Sequence, residues 1–400
     1  LLYQSWGRMN KQSSPGVDGV TAEKFQERLP QHIQSLAGRL RNKMYRAANV
    51  KRVLIPKANG KMRPLGLPTL QDKLIQQSVA MILESLWEPH FIKGSYGYRP
   101  NKSAHQAVRS LQMNLQFGSF GYIVEADIKG FFDNMDHDWL LRMLRSKVED
   151  EALLNLIKQW LKAKVITPDG AKVKPDKGTP QGGVISPILA NIYLHYALDL
   201  WFEKRVKPTC QGNAMLVRYA DDFVVAFQYK DEAERFYNAL AERLGKFGLE
   251  LAAEKTHIKR LSRFAPDPAT RFQFLGFEYY WGWDGKGEPH MRCRTATKKL
   301  KATLQGYSQW IKLNRSRKAR ELMPELRRKL TGFMNYFALP DNSRSVWKVY
   351  DSVVEALYKW MNRRSQRQSY TWSGLRDMLK RYQIKPPNVR KRNIAVDWYC

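Results

Sequence analysis

Cysteine is scarce in this sequence. The 400 residues hold three, Cys210, Cys293 and Cys400, and none stands in a Cys-x-x-Cys pair. That excludes a disulfide framework and a cysteine-based zinc module, and it suits a reducing, cytoplasmic setting. The seven histidines are scattered, without His-x-x-x-His spacing. No run of about 18 apolar residues occurs, so no membrane partner is expected. Internal repeats and low-complexity tracts are missing too. The opening residues, LLYQSWGRMNKQ, have no signal-peptide layout and no initiator Met, so the natural chain is expected to begin upstream.

Acidic residues are also in deficit. Lys and Arg total 68 against 37 Asp and Glu, a formal charge of +31. An excess this large points to a polyanionic partner, of which nucleic acid is the commonest. The 19 Tyr and 12 Trp can supply stacking platforms, although packing in a core is the ordinary fate of such rings. With 43% hydrophobic residues the chain can bury a large core, and its length suits two or three connected units.

Periodicity divides the chain. Residues 13–21, SSPGVDGVT, are turn-rich. Residues 50–68 read as a β-hairpin with Asn59-Gly60 at its tip. Leu74, Ile75, Val79, Ile82, Leu83 and Leu86 then recur at helical spacing until Pro89. GYIVEADIKGFFDNM (121–135) reads as a strand running into a turn, and DHDWLLRMLRSKV as a helix that Asp133 or Asp136 caps. A Gly-rich loop opens a long helix over 178–204. LVRYADDFVVAF (216–227) is a pair of apolar strands around Asp221 and Asp222. A helix over 231–249 ends at Gly248, and FQFLGFEYYWGW (272–283) reads as one aromatic strand. From about residue 295 the chain is helical and basic. Leu326, Leu330, Phe333 and Phe337 form one stripe, and Val349, Val353, Leu357 and Trp360 another.

Buried carboxylates are costly unless something positive holds them. Asp127 closes the strand YIVEAD, and Asp221 and Asp222 lie at the turn of the next strand pair. Two strand ends in one sheet bring three carboxylates together. Divalent cations neutralise such a cluster, and Mg²⁺ favours carboxylate oxygens combined with substrate phosphates. A polar turn is the plain alternative for an Asp-Asp pair alone.

At this point the sequence resembles a known family. RYADDFVVAF is similar to the Tyr-x-Asp-Asp box of reverse transcriptases, in the form common among group II intron proteins. EADIKGFFDNM resembles their first catalytic motif, and GTPQGGVISPILANIYL their template and nucleotide platform. VLIPKANGKMRPLGLPTLQDKLIQQ and SYGYRPNKSAHQAV are like their fingers segments. FLGF resembles the primer-grip strand, and LRRKLTGFMNYF the thumb or maturase region. The likeness covers roughly residues 13–385, in the family's order.

The resemblance implies an α+β right-hand polymerase with an antiparallel palm sheet and an α-helical thumb. Residues 1–120 would hold the N-terminal segment and fingers, and 121–290 the palm with a fingers insertion at about 140–180. Residues 291–362 would form the thumb or maturase domain, and 363–400 a short basic segment. It implies RNA-directed DNA synthesis with two Mg²⁺ ions, dNTPs, a DNA primer or target and an RNA template, the intron RNA first among candidates. By position, Asp127, Asp221 and Asp222 match the catalytic carboxylates and Ile128 the carbonyl that lends a metal ligand. Phe132 matches the ring under the sugar, Gln181 and Gly182 match positions beside the incoming nucleotide, Lys57 and Arg63 match fingers residues that hold the triphosphate, and Lys255 matches a lysine proposed to protonate pyrophosphate. The C-terminal endonuclease carried by many relatives has no counterpart here, so second-strand cleavage in cis is not expected. An RNA-binding maturase is a second, compatible role. A domesticated enzyme of CRISPR adaptation or phage defence is a third.

Each residue also has a plain alternative. In a strict two-residue turn, Lys57 and Arg63 would lie on opposite faces of the hairpin, so Arg63 is preferred. Gly182 and Gly183 open space for a base pair, or simply shape the turn into the helix. Gln181 contacts the nucleotide or merely caps the loop. Lys255 follows Glu254, which makes an ordinary surface pair its rival role. Glu125 is read as structural.

Overall fold

A computed structural model of the protein describes residues 1–56, 62–364 and 369–389. Its contacts divide the chain into two units. One comprises Leu1–Leu111 and Phe117–Ser262, the other Gln112–Gln116 and the chain from Arg263.

In the first unit the strands are β1 (Val50–Pro56), β2 (Met62–Leu67), β3 (Tyr122–Asp127), β4 (Val165–Ile166), β5 (Lys172–Val173), β6 (Ala214–Tyr219), β7 (Asp222–Phe227) and β8 (His257–Arg260). The runs YIVEAD, AMLVRY and DFVVAF are rich in β-branched and aromatic residues, and they form the middle of an antiparallel sheet ordered β6-β7-β3-β8. Val224, Val225 and Ala226 are all buried although they alternate faces, so both faces of β7 are covered. The helix Lys230–Gly245 packs Phe236 against Phe227. It ends three residues before Gly248, whose φ of +68° fits the turn that closes the helix.

A second sheet runs β2-β1-β4-β5. Its hairpin register pairs Pro56 with Met62 and Ile55 with Arg63. This register differs by one residue from that of a two-residue turn around Asn59-Gly60. Lys57 and the tip itself lie outside the described residues.

The helix Leu70–Trp87 begins where Thr69 accepts from the Asp72 amide while Asp72 accepts from the Thr69 hydroxyl. Leu74, Ile75, Val79 and Leu83 are buried, but Ile82 and Leu86 are exposed, so the covered face is narrower than the apolar stripe. The 178–204 segment becomes α-helical only at Ser186, and Ile188 to Leu194 are buried nearly all round. Two wide π-turns follow, at His195–Asp199 and Phe202–Val206.

In the second unit, the expected single strand at 272–283 is two. Strand β9 (Phe272–Phe274) turns at Leu275-Gly276 into β10 (Phe277–Trp283), which pairs with β11 (Pro289–Thr295). Both turn residues have positive φ, 53° and 77°, the conformation that a two-residue hairpin needs. The helices Thr297–Asn314, Ala319–Phe337, Ser343–Met361 and Trp372–Arg381 follow. Leu326, Leu330, Phe333 and Phe337 are buried along one of them, and Val349, Val353 and Leu357 along the next. Trp360 is only half-buried. Among the described residues no helix is long and apolar enough to cross a membrane.

Candidate active site

The central sheet fixes the aspartates. Strand register sets Asp127 of β3 opposite Asp222 of β7, and directly opposed residues project from the same face. Tyr219 and Asp222 close the β6–β7 hairpin, leaving Ala220 and Asp221 as its two-residue turn. Ala220 has φ +58°, the left-handed value such turns require at their first position. Asp221 therefore stands at the tip, beside the Asp127–Asp222 pair.

Asp221 lies within electrostatic reach of Asp127. Burial pushes the Asp221 carboxyl above its ordinary range, and the charge of Asp127 adds to that rise. Arg63 and Arg218 oppose it. Arg63, exposed near the start of β2, is thus within electrostatic reach of the aspartates. The same field reaches Tyr98, whose φ is +57° and whose ring lies 6.5 Å from that of Tyr219. Burial raises the Tyr98 phenol, Asp221 raises it further, and Arg63 works against them.

Beyond β3 the backbone keeps a partner. Ile128 bridges to Leu251, the Ala252 amide donates to the Asp127 carbonyl, and the Lys129 amide donates to Glu250. This pairing brings the short 3₁₀ turn Ala253–Lys255 alongside the site. The Lys255 ammonium donates to Asp127 Oδ2 at 2.5 Å, and that hydrogen bond raises its pKa. Lys255 is mostly exposed apart from this pair. Glu125, on the same face of β3, pairs with Lys259 at 2.7 Å.

Phe131 and Phe132 do not continue the strand. Gly130, at φ +55°, starts the short helix Phe131–Asn134, so the two rings diverge by a helical step. Phe131 is 2% exposed and packs edge-on to Tyr193, whereas Phe132 is half-buried. Asp136 caps the following helix by accepting from the Trp139 amide; Asp133 sits exposed within the short helix instead.

The Gly-rich loop is tied to this turn and to β2. Thr179 donates its amide to the Phe132 carbonyl, and Gly66 donates to the Gln181 carbonyl at 2.7 Å. Gly182 has φ +105°, and a Cβ there would lie 2.9 Å from the Gly66 carbonyl oxygen. Backbone shape and close approach therefore suffice to require this glycine. A cleft of about 320 Å³ is lined by Arg52, Gly66, Asp133, Lys177, Gly178 and Gln181.

The donor set suits a hard cation, since it offers carboxylate oxygens on one sheet face with one carboxyl disfavoured as an anion. As placed, no three carboxylates, imidazoles or thiols among the described residues converge closely enough to enclose an ion. Asp127 is turned instead to Lys255.

The description "Reverse transcriptase (RNA-dependent DNA polymerase)" belongs to a family model that matches residues 55–279, and "Group II intron, maturase-specific domain" to one that matches 297–379. Over 336 residues the chain is 33% identical to the group II intron-encoded protein LtrA of Lactococcus lactis subsp. cremoris, covering 70% of this chain and 54% of that one. Over 281 residues it is 34% identical to protein YkfC of Escherichia coli (strain K12), covering 62% and 73%. It is 40% identical over 171 residues to an uncharacterized 91 kDa protein in the cob intron of Schizosaccharomyces pombe, covering 43% and 21%. The chain spans about half the length of LtrA.

Proposed function

Because the chain belongs to the reverse transcriptase family and matches the group II intron maturase-specific domain behind it, we propose that it copies RNA into DNA and also binds intron RNA as a splicing maturase. What supports this reading is the strand register, which sets Asp127 opposite Asp222 with Asp221 in the adjoining turn. Those carboxylates and the Ile128 carbonyl would hold two Mg²⁺ ions. When bound, the pair activates a primer 3′-hydroxyl and neutralises the departing pyrophosphate.

The chain's own residues do the rest. Arg63 offers a planar fork to the triphosphate, with Lys57 as its proposed companion. Phe132 lies under the sugar, and Gln181 and Gly182 flank the incoming base. Lys255 keeps a proton at Nζ because Asp127 stabilises the ammonium, and it gives that proton to pyrophosphate. The test is incorporation of dNTPs on an RNA template with a DNA primer and Mg²⁺. A pure, folded chain that adds none overturns the reading.

Lys255 yields its own prediction. Lys255→Ala should lower kcat by roughly 10²-fold, the low end for a lost general acid, with KM for dNTP little changed. A loss confined to KM would instead make Lys255 a nucleotide-binding residue.

The maturase role has a structural support of its own. Around the Trp360 ring stand Lys312, Arg315, Lys359 and Arg363, each 5.2–5.8 Å from its centroid. None of the four forms an ion pair with a carboxylate among the described residues. Four like charges on one ring repel, and phosphates relieve that repulsion while carrying no base identity. Changing all four to Ala should weaken RNA binding and shrink the slope of log K against log salt by about 2–3. An unchanged slope would place the RNA elsewhere. Action on bacterial nucleoid DNA, with retroelement mobility as its outcome, belongs to the same proposal.

A further inference from the structure

The tip that carries Asp221 is held from behind by a buried polar strut. Arg218 is fully buried, in a strand whose neighbours Leu216, Val217 and Ala220 are apolar and buried. Its guanidinium makes a two-pronged pair with Asp199, at 2.7 and 2.6 Å, and Asp199 is buried as completely. The remaining fork of Arg218 donates to two acceptors, Asn191 Oδ1 at 3.0 Å and the Ala220 carbonyl at 2.9 Å. Asn191, itself buried, donates onward to the Gly97 carbonyl at 2.6 Å. Gly97 lies so near the tip that a Cβ there would stand 2.2 Å from the Ala220 amide nitrogen. The backbone of Arg218 is gripped as well, donating to Gly94 and accepting from Tyr96.

Helix geometry explains how one helix supplies both Asn191 and Asp199. Eight residues of regular α-helix advance about 800°, which would leave Asp199 roughly 80° off the face of Asn191. The π-turn at His195–Asp199 turns less per residue and brings the two side chains back onto one face. A wide turn of this kind is uncommon, and here it serves Arg218.

We infer that Arg218 is a positioning residue for the polymerase reaction. Through Asp199 and Asn191 it pins the Ala220 carbonyl, and so fixes the left-handed residue that aims Asp221. The inference rests on the polymerase reading of the site. A buried ion pair is by itself weak evidence for stability, since an apolar pair of similar volume often folds as well. What the apolar pair cannot do is donate to Ala220.

That difference makes the test. The full chain carrying Arg218→Met with Asp199→Leu should fold and bind RNA as tightly, with a lowered melting temperature because Asn191 Oδ1 and the Ala220 carbonyl lose their donor. Deuterium uptake in a peptide spanning residues 219–223 should speed up markedly, with uptake elsewhere unchanged. The kcat for primer extension should fall by about 10²-fold, as for a displaced reacting group, with KM for dNTP little affected. Arg218→Lys keeps the charge but loses the fork, and should show a smaller loss of the same kind. If the double variant does not fold, the lysine variant decides. Wild-type kcat and wild-type exchange at 219–223 in either folded variant would overturn the inference. Inactivity of the unaltered chain would defeat the polymerase reading instead, and the exchange measurement would still report on the strut.

Discussion

Asp221→Ala combined with Asp222→Ala should abolish RNA-templated primer extension while leaving RNA binding largely intact. Asp222 is the register partner of Asp127, and Asp221 is the turn residue beside them, so the double change strips two of three carboxylates from one sheet edge. The metal ions that these carboxylates would hold would contribute several kcal/mol of charge neutralisation, so a loss of about 10³-fold or more is expected. On the reading proposed above, RNA binding rests on basic surface such as the Trp360 cluster, whose residues the change leaves in place. The single change at Asp221 separates this loss from unfolding. Burial holds the Asp221 carboxyl above its ordinary value, so between the unfolded and folded pKa values the folded chain binds the extra proton. Its contribution to stability is therefore present at low pH and lost as pH rises through that window. In metal-free buffer at neutral pH the Asp221→Ala single variant should melt no lower than the parent, and its melting temperature should depend less on pH. Extension near the parent rate by the folded variant would sink the assignment.

Much of this site is legible in the sequence because strands carry their faces with them. YIVEAD and LVRYADDFVVAF alternate and end on acids, so two strand ends in one sheet suffice to bring Asp127 towards Asp221 and Asp222. What escapes is whatever depends on counting residues in a turn. The β1–β2 connection differs by one residue from the expected register, and that single step moves Arg63 from opposite Pro56 to opposite Ile55. The fold of 272–283 back on itself hangs on Leu275 taking a positive φ, a conformation that leucine rarely signals. The strut was hidden for another reason. Asp199 is a lone acid in the apolar run NIYLHYALDLWF, and Arg218 a lone base in AMLVRY; each demands a partner when buried, yet nothing local says that each is the other's. Gly182 illustrates the opposite case, where a functional and a conformational reason both fit one residue and the backbone alone already requires it.

Phe132→Ala should relax the choice of sugar, raising the ratio of kcat/KM for CTP to that for dCTP by about 10²-fold while much of the dCTP rate survives. The reasoning starts at Gly130, whose left-handed backbone turns the chain out of β3 into a short helix. Successive rings on a helix part by about 100°, not the 180° of a strand, so Phe131 and Phe132 still cannot do the same work. Phe131 points into the core against Tyr193 and is nearly inaccessible. Phe132 keeps exposed surface, and its carbonyl is fastened by the Thr179 amide, which also anchors the loop bearing Gln181. A half-buried ring so close in sequence to Asp127 can lie beneath the sugar of a bound triphosphate and leave no room for a 2′-hydroxyl, the atom that separates ribonucleotides from deoxyribonucleotides. Selection of this kind works by a built-in clash, which is why removing the ring admits the wrong sugar without expelling the right one. Phe131→Ala should behave differently, destabilising the fold by roughly 3–5 kcal/mol through the cavity it leaves, with sugar preference unchanged. Measuring both ratios and both melting temperatures separates the roles. Relaxed sugar choice in the Phe131 variant alone would exchange the two assignments, and unchanged choice in both would move sugar selection to another wall of the pocket.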